Sequence, residues 1–498
     1  MTEATGKRTG RGRLLVPVIL YGIGGHVPQV VSFLLMPVYT RYLDPNQMGV
    51  LEVCIAARVL AGLMMRFGLP GAIARLYFDE GDEPGFRSLT WTVFVAVVVT
   101  ATLEFALALA IGPFVSDRLF PSIPFFPFLA LTLAGAWLQA MSDFQRRILQ
   151  AQERAKTVST LNLVSGLLGI AVNVFFIVGL KWGISGALWA DVYASGALFV
   201  VAVWMHRHDL SGQFSKVRLI NAMRYGLPLI PLHLATWLQE YAWRWVLLLV
   251  APTAYIGQLA VAAKLATPIR TVAASFSNAY SPVYFSWRTT TSVAEASSRV
   301  RSVASSVVVI GGIAVIGAST FGPIVVAHAL DPAYLPAAYL VGTTALAAYL
   351  RLLYPLIVGE LLFLKMTSTV SLVFFIGSVA SFASLALLVP SLGAQGGAIA
   401  QCFGAGISLI GAAIIARRTM PLPVSLRVGI VTFFGCAVAL GTTSRIGDFS
   451  STQFAVASTS EFVGVSVLVV MLSGARDEFV GTTRYLLSRV GRLLLRRA

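Results

Sequence analysis

Among the charged side chains buried in the long apolar runs of this chain, three cations stand out: Arg58, Lys264 and Arg270. An ionised group at the centre of a bilayer costs at least ~2.5–3.5 kcal/mol, so such groups face a cavity, pair with one another or reach back to the interface. Arg58 lies about eleven residues into its run, roughly 16 Å at ~1.5 Å per residue. Lys264 sits at a similar depth in a later run, and Arg270 lies further inward. Arg58 and Lys264 are expected to line a cavity, with a structural ion pair as the alternative. For Arg270 a cavity role and a reach to the inner headgroups weigh equally. Glu240 and Arg244, spaced i,i+4, are expected to pair with each other. Glu104 and Asp191 are isolated acids in the outer halves of their runs. Each could partner the cavity cations or couple an ion, and an interhelical hydrogen bond is the plainer reading. Gln29, with His26 in the first run, is expected to line the interface between two lobes.

No catalytic or metal constellation accompanies these residues. HExxH, GxSxG, P-loop and kinase signatures are missing from the sequence. Cys54, Cys402 and Cys436 fall inside apolar runs without CxxC or Cys/His spacing. The expectation is a protein that is not an enzyme and needs no cofactor or metal. Without an ATP motif, any transport is driven by a gradient, by membrane potential or by the substrate.

The elements that position these charges follow from composition. Of 498 residues, 57% are hydrophobic and 12% charged, and mean hydropathy is +0.80. Soluble domains carry about 25% charged residues, so the chain is an all-α, polytopic integral membrane protein. Fourteen spans of suitable length are predicted: 14–38, 47–67, 88–112, 123–142, 157–180, 183–204, 222–247, 252–276, 303–327, 334–357, 366–389, 393–416, 427–443 and 455–473. The net charge of +16 does not indicate nucleic acid, because the basic residues cluster between apolar runs rather than in an aromatic-interleaved patch. With the N-terminus inside, 29 of the 37 Lys and Arg residues fall on the inner side and 4 on the outer. That asymmetry predicts an even number of crossings and cytoplasmic termini. The tail 476–498 reads as a basic amphipathic helix on anionic membrane lipids.

An internal repeat sets the architecture. "MGVLEVCIAARV" from Met48 aligns with "IGQLAVAAKLAT" from Ile256, matching Gly49 with Gly257, Leu51 with Leu259 and Val53 with Val261. One gap later Tyr77-Phe78 meets Tyr284-Phe285, and "LYG" at 20–22 has its counterpart in "RYG" at 224–226. These are predicted spans 2 and 8, so the repeat is six helices long and both copies point the same way. Two six-helix lobes, 1–210 and 211–420, are expected about a pseudo-two-fold along the membrane normal, with sites near the midplane between them. Two extra helices at 421–475 and the tail follow.

"PVYTRYLDPNQMGVLEV" (37–53) resembles the segment between the first two helices of the polysaccharide transporters, the Wzx-like flippases of the multidrug/oligosaccharidyl-lipid/polysaccharide exporter superfamily. The residues that carry it are Pro37, Tyr39, Thr40, Arg41, Leu43, Pro45 and Gly49. "GLPGAIARLYFD" (68–79) is similar to their next segment, and Asp44 stands where glycine is common. The resemblance implies a flippase that moves an undecaprenyl-diphosphate-linked oligosaccharide from the inner to the outer leaflet of a bacterial cytoplasmic membrane by alternating access. Arg58, Lys264 and Arg270 would then meet an anionic diphosphate, and Arg41 would meet phosphate at the exit or anchor the interface beside Tyr39 and Tyr42. Glycan-assembly membrane proteins are candidate partners. A drug or cation exporter of the same fold and a peptidoglycan-precursor flippase stand as alternatives. A membrane glycan polymerase or ligase fits less well because no outer loop is large enough to house it, and a structural scaffold would tolerate loss of the embedded charges.

Overall fold

The computed structural model describes residues 27–77, 83–152, 154–418, 426–443 and 452–473. His26, the start of the first predicted span, Arg445 and the tail 476–498 lie outside these residues. The described residues form helices: α1 (Val27–Leu34), α2 (Met36–Tyr42), α3 (Pro45–Arg66), α4 (Leu69–Leu76), α5 (Glu83–Leu119), α6 (Ala130–Ala151), α7 (Ala155–Val174), α8 (Gly183–Met205), α9 (Lys216–Gly226), α10 (Ile230–Glu240) and α11 (Trp243–Val250). There follow α12 (Thr253–Leu265), α13 (Thr267–Thr290), α14 (Val293–Ala329), α15 (Leu335–Phe363), α16 (Thr367–Leu392), α17 (Ala394–Ala416), α18 (Leu426–Thr443) and α19 (Thr452–Ser473). Among the described residues ten helices are long and apolar enough to cross a membrane, and α12 with α13 makes an eleventh as a pair bent by 56°. Their outward faces are apolar, as lipid requires: Leu103, Leu107 and Ile111 on α5 and Leu387 on α16 are all exposed.

Two predicted spans are broken, and a proline sits at a break in each. Span 7, expected over 222–247, divides into α9, α10 and α11, with a 3₁₀ turn at Leu227–Leu229 around Pro228 and Pro231 in the first turn of α10. Span 8, expected over 252–276, bends where Pro268 lacks the N–H that would bond Lys264 and crowds that carbonyl. Arg351 lies inside α15, which runs on to Phe363.

The chain packs as two compact units. The first comprises the described residues up to Leu43 together with Val50–Trp245; the second comprises Asp44–Gly49 and the chain from Val246 onward. This packing keeps most of the broken span 7 in the first unit. In the second unit α18 and α19 pack on α14, where Val428, Cys436, Ala439 and Val469 join Val308, Val315 and Ile316 in one buried cluster.

The opening motif owes its shape to local chemistry. Asp44 and Gln47 form a reciprocal cap, with Gln47 N donating to Asp44 Oδ1 at 2.9 Å and Asp44 N donating to Gln47 Oε1 at 3.2 Å. Pro45 occupies the first helical position, where no N–H is missed. The departure from glycine at residue 44 thus supplies a helix start. Within the second unit this start meets its own repeat. A Cβ on Gly49 would lie 1.9 Å from the Thr253 carbonyl oxygen, and a Cβ on Gly257 would lie 2.1 Å from that of Pro45. Residues 45 and 49 match 253 and 257 at an offset of 208, so the two contacts exchange under the repeat, as across a two-fold. Thr253 Oγ1 adds a hydrogen bond to Asn46 Oδ1 at 3.0 Å.

Candidate translocation site

The expected site residues of the first unit are organised by α3, which carries two embedded charges of opposite sign six residues apart. Arg58 Nε lies 2.7 Å from Asp191 Oδ2 on α8, and Arg58 Nη2 lies 3.4 Å from Ser195 Oγ one turn further along that helix. The Nε–H is not aligned on the carboxylate, so the contact is an ion pair rather than a directed hydrogen bond. Gly135 on α6 makes room for it: a Cβ there would sit 2.4 Å from Asp191 Oδ2. About a quarter of each side chain stays accessible, 24% for Arg58 and 27% for Asp191. Arg58 is therefore both paired and reachable. Asp191 is no isolated acid but the partner of a cation, one of the roles its position allowed.

The second embedded charge of α3 is Glu52, which the sequence reading omitted. Its carboxylate lies 2.9 Å from Arg244 on α11, and with side-chain exposures of 2% and 12% this pair is more buried than the first. The expected pairing of Glu240 with Arg244 is corrected accordingly. The contact Arg244 makes to residue 240 is a hydrogen bond to its backbone carbonyl at 3.1 Å. Tyr241 and Trp243 flank the same guanidinium at 5.2 and 4.5 Å. Trp237 and Trp245 donate their indole N–H to the α3 carbonyls of Ala56 and Val53, at 2.9 and 3.5 Å. An interrupted span is thereby held against an unbroken one. A rule that lists every ionisable residue in an apolar run would have found Glu52.

Tyr39 also moves from its expected place. Its hydroxyl donates to Asn173 Oδ1 on α7 at 2.8 Å, and the charges of Asp191 and Glu52 reach it. Tyr42 is exposed, as a headgroup-belt residue should be, and Arg41 is exposed beside it. Glu104 is half-buried on α5 with no ion-pair or hydrogen-bond partner among the described residues. Gln29 lies in α1.

In the second unit the expected cations flank the bend. Lys264 is in the last turn of α12 and Arg270 in the first turn of α13, both half-buried. A further buried cluster was not expected. Arg288, at the end of α13, grips Glu360 of α15 through Nε and Nη2 at 2.8 and 2.9 Å, the Tyr284 hydroxyl donates to the same carboxylate, and Phe363 lies under the guanidinium at 4.8 Å. Arg288 looked like a loop residue because α13 extends well past the membrane-length apolar stretch.

The fold is that of the MOP-superfamily transporters. The chain superposes on a structure titled lipid II flippase MurJ in an inward closed conformation with a TM-score of 0.69, covering 91% of this chain and 98% of that one at 12% identity. An inward-facing multidrug resistance MATE family transporter gives 0.64, with 78% and 94% covered at 16% identity. A MOP-superfamily transporter from Pyrococcus furiosus, described as having a binding pocket of reverse polarity, gives 0.56, with 89% and 100% covered at 15% identity. No curated protein matches the sequence. The polysaccharide biosynthesis protein family model matches residues 15–287, more than half of the chain, and the protein belongs to that family. It is a multi-pass membrane protein of transporter or flippase fold.

Proposed function

We propose that this protein is a flippase that carries an undecaprenyl-diphosphate-linked oligosaccharide from the inner to the outer leaflet of a bacterial cytoplasmic membrane, with both termini inside. The observation that carries the reading is Arg58: an embedded cation held in position by Asp191 yet still accessible. A diphosphate crossing hydrocarbon needs such compensation, and charge-assisted hydrogen bonds from Arg58, Lys264 and Arg270 supply it. The pairing with Asp191 keeps Arg58 affordable when no substrate is bound and orients its remaining N–H groups. The family and the lipid II flippase likeness support a lipid-linked substrate.

One observation favours a second reading, a cation or drug exporter. In the first unit Glu52, Glu104, Asp191 and Glu240 outnumber Arg58 and Arg244 along the embedded segments. Export of lipid-linked glycan in cells carrying Arg58→Ala or Lys264→Ala separates the two, with membrane insertion verified by blotting. Loss of export in both, with normal insertion, is the expected result. Normal export in both single variants, with dye efflux retained, would replace the flippase reading by the exporter.

A further inference from the structure

Outside the Arg58 pair, the first unit gathers a second set of cations that the proposed function does not use. Arg66, the last residue of α3, lies eight residues and roughly 12 Å of helix beyond Arg58. Between them Gly62 leaves the helix bare, and the Arg66 guanidinium folds back over it, with Nη2 at 3.5 Å from where a Cβ would stand. Arg66 Nη1 pairs with Asp143 of α6. One turn on from Asp143, Arg147 is exposed, its guanidinium bonded among the described residues only to Gln150 at 3.2 Å. His233 of α10 is exposed and has no hydrogen-bonding partner among the described residues. The positive charges of Arg66 and Arg147 both act on its imidazole.

The backbone explains the convergence. Gly68, at a φ of +68°, ends α3 in a turn that packs on Gly226, where a Cβ at 68 would meet the Gly226 carbonyl oxygen at 2.4 Å. That contact brings the start of the broken span 7 against the end of α3, and His233 follows two turns later. Arg66 and Arg147, from two helices, thus flank one carboxylate, and His233 comes from a third helix that starts beside the end of α3. Arg146, beside Arg147 on α6, lines a cavity of about 40 Å³ with Ser142, Asp143, Asn162 and Ser165.

We propose that Arg66, Arg147 and His233 form a second anion-binding station, specific for a phosphate or diphosphate group and set two helical turns from Arg58 on the same helix. Asp143 is its resident counter-ion. It keeps Arg66 in place when the station is empty and competes with an incoming phosphate. The class of ligand follows from the donors: two guanidiniums offer paired N–H forks matched to phosphate oxygens, and the imidazole offers one more N–H. That the station loads the substrate ahead of Arg58 rests on the flippase reading; the binding itself does not.

The test uses the full chain in nanodiscs and measures binding of inorganic pyrophosphate, of undecaprenyl diphosphate and of phosphatidylglycerol. Arg147→Ala and His233→Ala, both at exposed positions, should each weaken binding of the two diphosphates about tenfold. Asp143→Asn should strengthen it, a gain that a merely structural role for the cluster would not give. The loss of pyrophosphate affinity on Arg147→Ala should persist in an Arg58→Ala background, where the first site is already disabled, which separates failure of the station from failure of the flippase reading. Unchanged diphosphate affinity in both Arg147→Ala and His233→Ala would overturn the station. So would an effect confined to phosphatidylglycerol, which would make the cluster a lipid-headgroup surface.

Discussion

The two copies of one repeated segment end with different backbones. α3 runs unbroken from Pro45 to Arg66, while its counterpart stops at Leu265, restarts at Thr267 and bends by 56°. Their register is fixed by the exchanged contacts of Gly49 and Gly257, so position 266 answers to 58 and Pro268 to Leu60. Where the first copy places an arginine, the second places Ala266 and a break. Lys264 lies two residues earlier, about 200° around an α-helix, and so on nearly the opposite face. Arg270, four residues after the break, keeps closest to the face of Arg58. The lesson is that a cation can be present in both copies of a repeat without being equivalent in both. A straight helix locks its arginine against Asp191. A proline-broken helix sets its cations on either side of a joint.

The largest expected effect tests what keeps α3 straight and anchored. Arg244→Ala removes the guanidinium paired with the buried Glu52 carboxylate and should cost about 3–5 kcal/mol, read as a lower denaturation midpoint in detergent. Replacing both residues by leucine should recover most of that loss. A double variant as unstable as Arg244→Ala alone would mean that α11 holds α3 by other contacts.

The shared register can be broken next. Gly49→Ala and Gly257→Ala each drive a methyl into a backbone carbonyl and should cost similar amounts, about 1–3 kcal/mol. Gly71→Ala, with open space around it, should cost little. Clearly unequal losses at 49 and 257 would contradict the exchanged contact. A finer probe is Thr253→Val, which removes the hydrogen bond to Asn46 and should cost about 0.5–1.5 kcal/mol. No change in that variant would assign the contact to the glycines alone.

Much of this was legible in the chain. Predicted spans 2, 6 and 12 match α3, α8 and α17 to within two residues at each end, because long apolar runs with clean caps leave few alternatives. Arg58 and Asp191 were both marked by a general cost, that of charge in hydrocarbon. Their pairing was not, since residues 58 and 191 are brought together by the room Gly135 leaves on a third helix. The Glu240–Arg244 expectation failed for a related reason. Spacing of i,i+4 assumes a continuous helix, and the chain turns at Tyr241 and Ala242 between α10 and α11, which frees Arg244 to reach Glu52.

By itself, then, the sequence determined the solvent of this protein, its helical class, its repeat, the start of α3 at Asp44-Pro45 and the identity of most embedded charges. Those features depend on local quantities: hydropathy summed along one span, a cap within four residues, a proline without an N–H. Only the tertiary structure decided which charge meets which. It gave Arg58 to Asp191, Arg244 to Glu52 and Arg288 to Glu360, and drew Tyr39 from the headgroup belt to Asn173. The physical reason is that an ion pair in a poorly polarisable interior is chosen by distance and packing among helices, which the order of residues along the chain leaves undetermined.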